Sequence, residues 1–242
     1  MSGPFEGRTR AVQERLQRVD ASAVILGPGP NLFYLSGLHE DPSERYFLFV
    51  VPADDPPRLF VPAMAEPAVR ADSWVETVVT YTDEESPRSR LGTELDAVGI
   101  EDDRLLVDDH LWTQFTLELQ TIRPDCTFGL ASEVLADLRM RKDETELAAM
   151  RDAASLTDAV CRGLRADDGV VGQTEAAIAR RIEDEQRSAG GAGAAFETIV
   201  AAGPNGAKPH HGHGDRVIEA GDPVVFDFGT VLDGYVSDQT RT

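Results

Sequence analysis

The chain has 242 residues, 41% of them hydrophobic and 27% charged, which suits one large or two ordinary globular domains and excludes collagen, coiled coil or wholesale disorder. Its net charge of −20, from 43 acids against 23 bases, repels nucleic-acid phosphates and anionic membrane surfaces. The longest apolar runs, such as Phe47–Val51 and Val224–Phe226, fall far short of the roughly 20 residues that span a bilayer, and Met1–Arg18 lacks the apolar stretch of a secretory signal, so a cytoplasmic protein is expected.

Residues 5 to 19 place Phe5, Val12, Leu16 and Val19 among Arg and Glu at helical spacing, an amphipathic opening helix. Ala23–Leu26 reads as a short buried strand, ended by Gly27-Pro28-Gly29-Pro30. Tyr46–Val51 and Arg58–Val61 read as strands joined by a Pro/Asp loop, and Trp74–Val79 as another. A helix over Ser89–Val98, a strand over Arg104–Val107 and a helix over Leu111–Thr121 follow. The alternation is that of an α/β fold. The character changes near residue 130: Ser132–Arg139 is a short helix, Lys142–Arg165 a long amphipathic one, and Thr174 caps a third that runs to about Ser188. Gly190-Gly191-Ala192-Gly193 breaks that helix, and strands are expected at Phe196–Ala201, Pro223–Phe228 and Val231–Val236. The domain boundary is expected at residues 130–135, giving domains 1–132 and 133–242.

Only two of the bases are lysines, Lys142 and Lys208, and the acids are dispersed rather than gathered in a tail. Dispersed acid with almost no lysine points to solvation in high salt, where screening suppresses self-repulsion; the plainer alternative is an ordinary acidic cytosolic protein. Cys126 and Cys161 cannot build a disulfide framework, and no CxxC knuckle is present.

Chemistry concentrates in the last 40 residues. Val224–Asp238 reads as two β-branched, aromatic-rich strands around Asp233-Gly234, a hairpin signal. Asp227 and Asp238 lie an odd number of positions apart, so an even-numbered turn puts both on one face, opposite each other or one diagonal step away. Like charges so placed are destabilising unless a cation lies between them, and a divalent metal would supply one. An odd turn, or two solvated aspartates on an edge hairpin, is the alternative. His210, His211 and His213 follow the loop Pro204–Pro209; such a cluster binds metal, shuttles protons or positions substrate, or is an inert polar loop. Asp and His donors suit Mn²⁺, Co²⁺ or Zn²⁺. Gly27-Pro28-Gly29-Pro30 lacks the lysine of a phosphate loop, Gly190–Gly193 is a connector, no G-x-S-x-G elbow occurs, and His39 and His110 stand alone.

These segments resemble the creatinase/prolidase/aminopeptidase P group of "pita-bread" metallopeptidases. Asp227-Phe-Gly and Gly234-Tyr-Val-Ser-Asp238-Gln-Thr-Arg-Thr are similar to the motif of that family's first two metal ligands. Phe196 to His210 is similar to the strand and loop that bring an active-site histidine to the substrate. Leu138–Leu147 resembles the helix that enters the catalytic domain, and Ala23–Leu26 with Asn31–Gly37 resembles the family's N-terminal domain. The resemblance implies a creatinase-like α/β domain followed by the first half of a pita-bread domain. It further implies two divalent metal ions (Mn²⁺ or Co²⁺, or Zn²⁺), Asp227 on one and Asp238 bridging both, a shared hydroxide attacking the scissile carbonyl, His210 as the catalytic and substrate-binding histidine, Tyr235 as a substrate contact, and a homodimer. The reaction implied is cleavage at Xaa-Pro bonds, as an aminopeptidase or a dipeptidase. The family takes a further His and two Glu as ligands, and these are not in the 242 residues. A non-catalytic peptide-binding protein or fragment and a metal-free creatinase-like C–N hydrolase are the rival readings.

Overall fold

In the computed structural model, residues 3–101, 103–166 and 168–242 are described; Met1 and Ser2 at the head of the expected first domain, Asp102, and Asp167 lie outside them. The chain divides into two compact units, Met1–Arg141 and Lys142–Thr242.

The first unit is built on a six-stranded sheet: β1 (Ala23–Leu26), β2 (Leu48–Pro52), β3 (Arg58–Pro62), β4 (Thr77–Tyr81), β5 (Arg104–Val107) and β6 (Thr127–Leu130), in the order β4-β3-β2-β1-β5-β6. β2 is antiparallel to β1 and β3, and the other neighbours are parallel. The helices are α1 (Pro4–Arg18), α2 (Pro30–Ser36), α3 (Glu66–Asp72), preceded by a 3₁₀ turn at Ala63–Ala65, α4 (Pro87–Ala97), α5 (Thr113–Ile122) and α6 (Ser132–Met140). Alternation along the strands explains the layering. Val24, Leu26, Phe49, Val51, Leu59 and Val61 point to one face and pack with Val12 and Leu16 of α1, Leu32 and Leu35 of α2, and Val134 and Leu135 of α6. Ala23, Ile25, Leu48, Val50, Phe60 and Leu105 point to the other and pack with Leu91 and Leu95 of α4 and Phe115 and Leu119 of α5. Central strands covered on both sides carry continuous apolar runs, as in Ala23-Val24-Ile25-Leu26, buried at every position.

Two helices of this unit depart from the sequence reading. Gly27-Pro28-Gly29-Pro30 ends β1 and also starts α2: Gly29 adopts φ 142° and Pro30 takes the first helical turn, where its missing N–H costs nothing. α3 begins the same way, with Pro67 in its first turn.

The second unit holds α7 (Glu144–Ala166), a 3₁₀ turn at Asp168–Val170, α8 (Glu175–Ser188), β7 (Gly193–Ala194), β8 (Ile199–Ala202), a 3₁₀ segment at Gly203–Ala207, β9 (Val224–Phe228), β10 (Thr230–Leu232), β11 (Tyr235–Val236) and β12 (Gln239–Arg241). Two small sheets result, β11-β10-β7 and β12-β9-β8. A capping box starts α7: the Asp143 side chain accepts from the Glu146 N–H and Glu146 from the Asp143 N–H, each at 2.9 Å. Thr174 caps α8, accepting from Ala177 N–H at 3.1 Å. One apolar cluster, with Val160 and Leu164 of α7, Ile178 and Ile182 of α8, and Val200, Ala202 and Phe228 from the strands, backs a single face of the β12-β9-β8 sheet.

Candidate metal centre

β9–β10 and β11–β12 are the two arms of one hairpin. Leu232 pairs with Tyr235 and Val231 with Val236; Phe228 pairs with Gln239 and Asp227 with Thr240. The register is the same throughout, so the turn is the two residues Asp233 and Gly234. Both have positive φ, 49° and 78°, as a type I′ turn requires. The turn is even, and Asp227 and Asp238 stand on one face, Asp238 a diagonal step from Asp227 across the ladder.

That face is the one turned away from the apolar cluster. Asp227 is half-buried and Asp238 exposed. Asp227 accepts one hydrogen bond, from the Thr240 hydroxyl at 2.8 Å, and among the described residues neither aspartate has a basic partner. Gly229, on the other arm, fills the register position opposite Asp238 and contributes no side chain. A Cβ there would lie 1.9 Å from the carbonyl oxygen of Ser237. The hairpin bends at this close approach: β9 pairs with β8, whereas β10 pairs with β7. The Ser237 hydroxyl accepts from Thr230 N–H at 3.0 Å and lies 2.5 Å from the Thr157 hydroxyl of α7, which fixes the bend against the helix.

Two carboxylates on one face, with no basic partner among the described residues, fit a divalent cation as part of its ligand set. They do not fit as the whole of it: no group of three or more His, Cys, Asp or Glu able to hold a metal occurs among the described residues.

Tyr235 lies on the opposite face of the hairpin, and its hydroxyl donates to Glu146 Oε1 at 3.0 Å. The histidines separate. His211 Nε2 is 2.9 Å from Glu175 Oε2, and His213 Nδ1 is 2.8 Å from the Thr198 carbonyl. His210 is exposed, has φ 54° and makes no hydrogen bond among the described residues. The structure therefore brings the two aspartates together, sets Tyr235 on the other face, and records no contact between His210 and either aspartate.

Glu175 is the residue the sequence does not announce. It is wholly buried, at the first position of α8. Oε1 accepts from Ala202 N–H at 2.7 Å and Asn205 Nδ2 at 3.0 Å; Oε2 accepts from Gly214 N–H at 3.3 Å and faces His211. Burial pushes its carboxyl upward, but the hydrogen bonds from Ala202, His211, Asn205 and Gly214 outweigh that and hold it below the ordinary carboxylate value. An acid at a helix start is an ordinary response to the helix dipole, and only its burial sets this one apart.

Comparison with known proteins matches both units. The creatinase/prolidase N-terminal domain family matches residues 8–141, and metallopeptidase family M24 matches residues 148–242. The chain is 30% identical over 231 residues to the uncharacterized peptidase SAB1567 of Staphylococcus aureus (strain bovine RF122), covering 95% of this chain and 63% of that protein. The crystal structure of recombinant prolidase from Thermococcus sibiricus superposes with a TM-score of 0.90 at 30% identity, over 100% of this chain and 65% of that one. The crystal structure of a dipeptidase from Pyrococcus horikoshii OT3 does so with a TM-score of 0.88 at 31% identity, over 97% and 64%. The chain thus spans just under two thirds of the length of these relatives. The chain belongs to the creatinase/prolidase group of M24-type metallopeptidases, with a creatinase/prolidase N-terminal domain followed by part of the M24 domain.

Proposed function

We propose that this chain supplies the first metal ligands and the substrate-facing histidine loop of a metal-dependent exopeptidase that cleaves Xaa-Pro bonds. The observation that carries the reading is the placement of Asp227 and Asp238 on one open face of a bent hairpin, without a basic partner among the described residues. A divalent ion (Mn²⁺, Co²⁺ or Zn²⁺) held there in part by these two carboxylates would supply Lewis acidity toward a peptide carbonyl and would lower the pKa of water. Asp227 is oriented by the Thr240 hydroxyl, and Gly229 allows the close approach of the Ser237 carbonyl at which the hairpin bends. His210, whose ring makes no hydrogen bond among the described residues, would donate to the substrate carbonyl or the developing oxyanion. Two of the structural relatives are a prolidase and a dipeptidase, and a short peptide is accordingly the substrate class this site would take.

The test is hydrolysis of Xaa-Pro dipeptides and of longer peptides with proline second, with Mn²⁺ or Co²⁺ added. Two carboxylates leave most of a two-metal coordination sphere to water, so the 242 residues by themselves bind metal weakly and turn over these substrates negligibly. A chain that also carries the later His and two Glu cleaves the Xaa-Pro bond and loses that activity on Asp238→Ala. Robust turnover by the 242 residues, or turnover indifferent to Asp238→Ala, overturns this assignment.

A further inference from the structure

We infer that Glu175 is a positioning residue that staples both ends of the histidine loop and so sets where His210 stands. The two oxygens of one carboxylate divide the work. Oε1 holds the entry of the loop, through Ala202 N–H at the end of β8 and the Asn205 side chain. Oε2 holds the exit, through His211 and Gly214 N–H. A loop of about a dozen residues whose ends converge on one buried group is an Ω-type loop, and its closure here depends on a single side chain that the peptidase reading does not otherwise use.

The chemistry requires an ionised carboxylate. Four donors converge on it, and an acid that kept its own proton would lose one acceptor position. His211 then carries its proton on Nε2 and donates it. His213 adds a second tether, its Nδ1 at the Thr198 carbonyl, so two of the three clustered rings are spent on holding the loop. His210 lies between these anchored points with φ 54°. Residues other than Gly adopt that left-handed conformation only when their surroundings impose it, and the stapled flanks are what impose it here. The bearing of this on catalysis rests on the peptidase reading; the tether itself does not.

The experiment is nuclear magnetic resonance on the 242-residue chain, wild type and Glu175→Gln, without metal or substrate, so that a failure of the peptidase reading leaves the result unaffected. In the wild type, imidazole ¹⁵N shifts report His211 protonated at Nε2, and the His210 amide has an order parameter near the rigid-backbone value of about 0.85. Gln keeps one oxygen for Ala202 and Asn205 but turns an NH₂ toward Gly214 and His211. His211 switches to the Nδ1–H tautomer to accept from it, and Gly214 N–H exchanges at least about tenfold faster. Ala202 N–H keeps its protection, and the His210 order parameter falls toward about 0.6. A purely packing role for Glu175 would not switch the tautomer or separate the two ends of the loop. Should the carboxamide unfold the unit, His211→Ala removes one contact from Oε2 alone and is read by the same exchange at Gly214 and order at His210. Unchanged Gly214 exchange and His210 order in the folded variant, or His211 unprotonated at Nε2 in the wild type, overturns the inference.

Discussion

The two units use β-sheet in opposite ways. The first encloses its six strands between helices on both faces, and every residue of β1 and β2 is buried. The second backs its strands with α7 and α8 on one face and leaves the other to Asp227, Asp238, Thr240 and Val236, the last 57% exposed. A sheet closed on both sides has no room for a reacting group, so its sequence answers only to packing. A sheet with an open face can carry charge on alternate residues while the intervening ones, Phe228, Thr230 and Ser237, hold it to the helices.

The contrast is broken most severely by a buried charge. Val50→Asp puts a carboxylate on a strand residue that is 2% exposed with no partner, and unfolding of the first unit is expected, seen as loss of its cooperative melting transition. Next in size is Gly229→Ala, whose methyl would meet the Ser237 carbonyl. Because backbone must move on both arms, about 1–3 kcal/mol of stability is lost in the second unit by denaturant titration, with metal affinity falling alongside it. Acid reads the same unit from inside. The Glu175 carboxyl is depressed in the folded state, so its contribution is complete above the ordinary carboxylate range and is lost as pH falls through the depressed value. Asp222 has the same sign, held down by the Glu219 N–H and by Arg216. The protection of the Gly214 N–H, its exchange rate taken relative to the intrinsic rate at each pH, should therefore fall on acidification before that of the first unit's central strands does. Smaller is the salt response expected of a chain with net charge −20: melting temperature climbs by several degrees between tenths of molar and about 2 M KCl, beyond the range where screening saturates, whereas an unchanged value would favour an ordinary acidic protein. Smallest is Val236→Asp on the open face, which should shift stability by no more than about 0.5 kcal/mol; a cost like that of Val50→Asp would show that this face is covered.

What the sequence made legible follows from the same contrast. β1 and β5 coincide with their apolar runs, Ala23–Leu26 and Arg104–Val107, because burial on both faces writes an unbroken signal. β6 escaped notice because Thr127 and Leu130 are exposed at the sheet edge and the segment carries no alternation. α2 was hidden by Pro30, which reads as part of a strand-ending loop and acts as a first-turn residue; α3, with Pro67 in its first turn, was not read from the sequence. The hairpin was readable from Asp233-Gly234 between two β-branched runs, but the parity of its turn was not: the sequence leaves an even or an odd turn open, and the two-residue turn at Asp233 and Gly234 is what puts both aspartates on one face. Glu175 was not readable, since its role depends on which backbone amides the fold brings to it, and nothing local in Thr174-Glu175-Ala176 encodes that.

The most direct measurement is calorimetric titration of Mn²⁺ into the 242-residue chain and into the Asp227→Ala/Asp238→Ala double variant. The two aspartates on one uncompensated face predict weak binding in the first and its loss in the second, with the melting temperature of the metal-free variant held or raised as like charges are removed. Equal affinity in the two proteins would show that these residues are not ligands and would contradict the account.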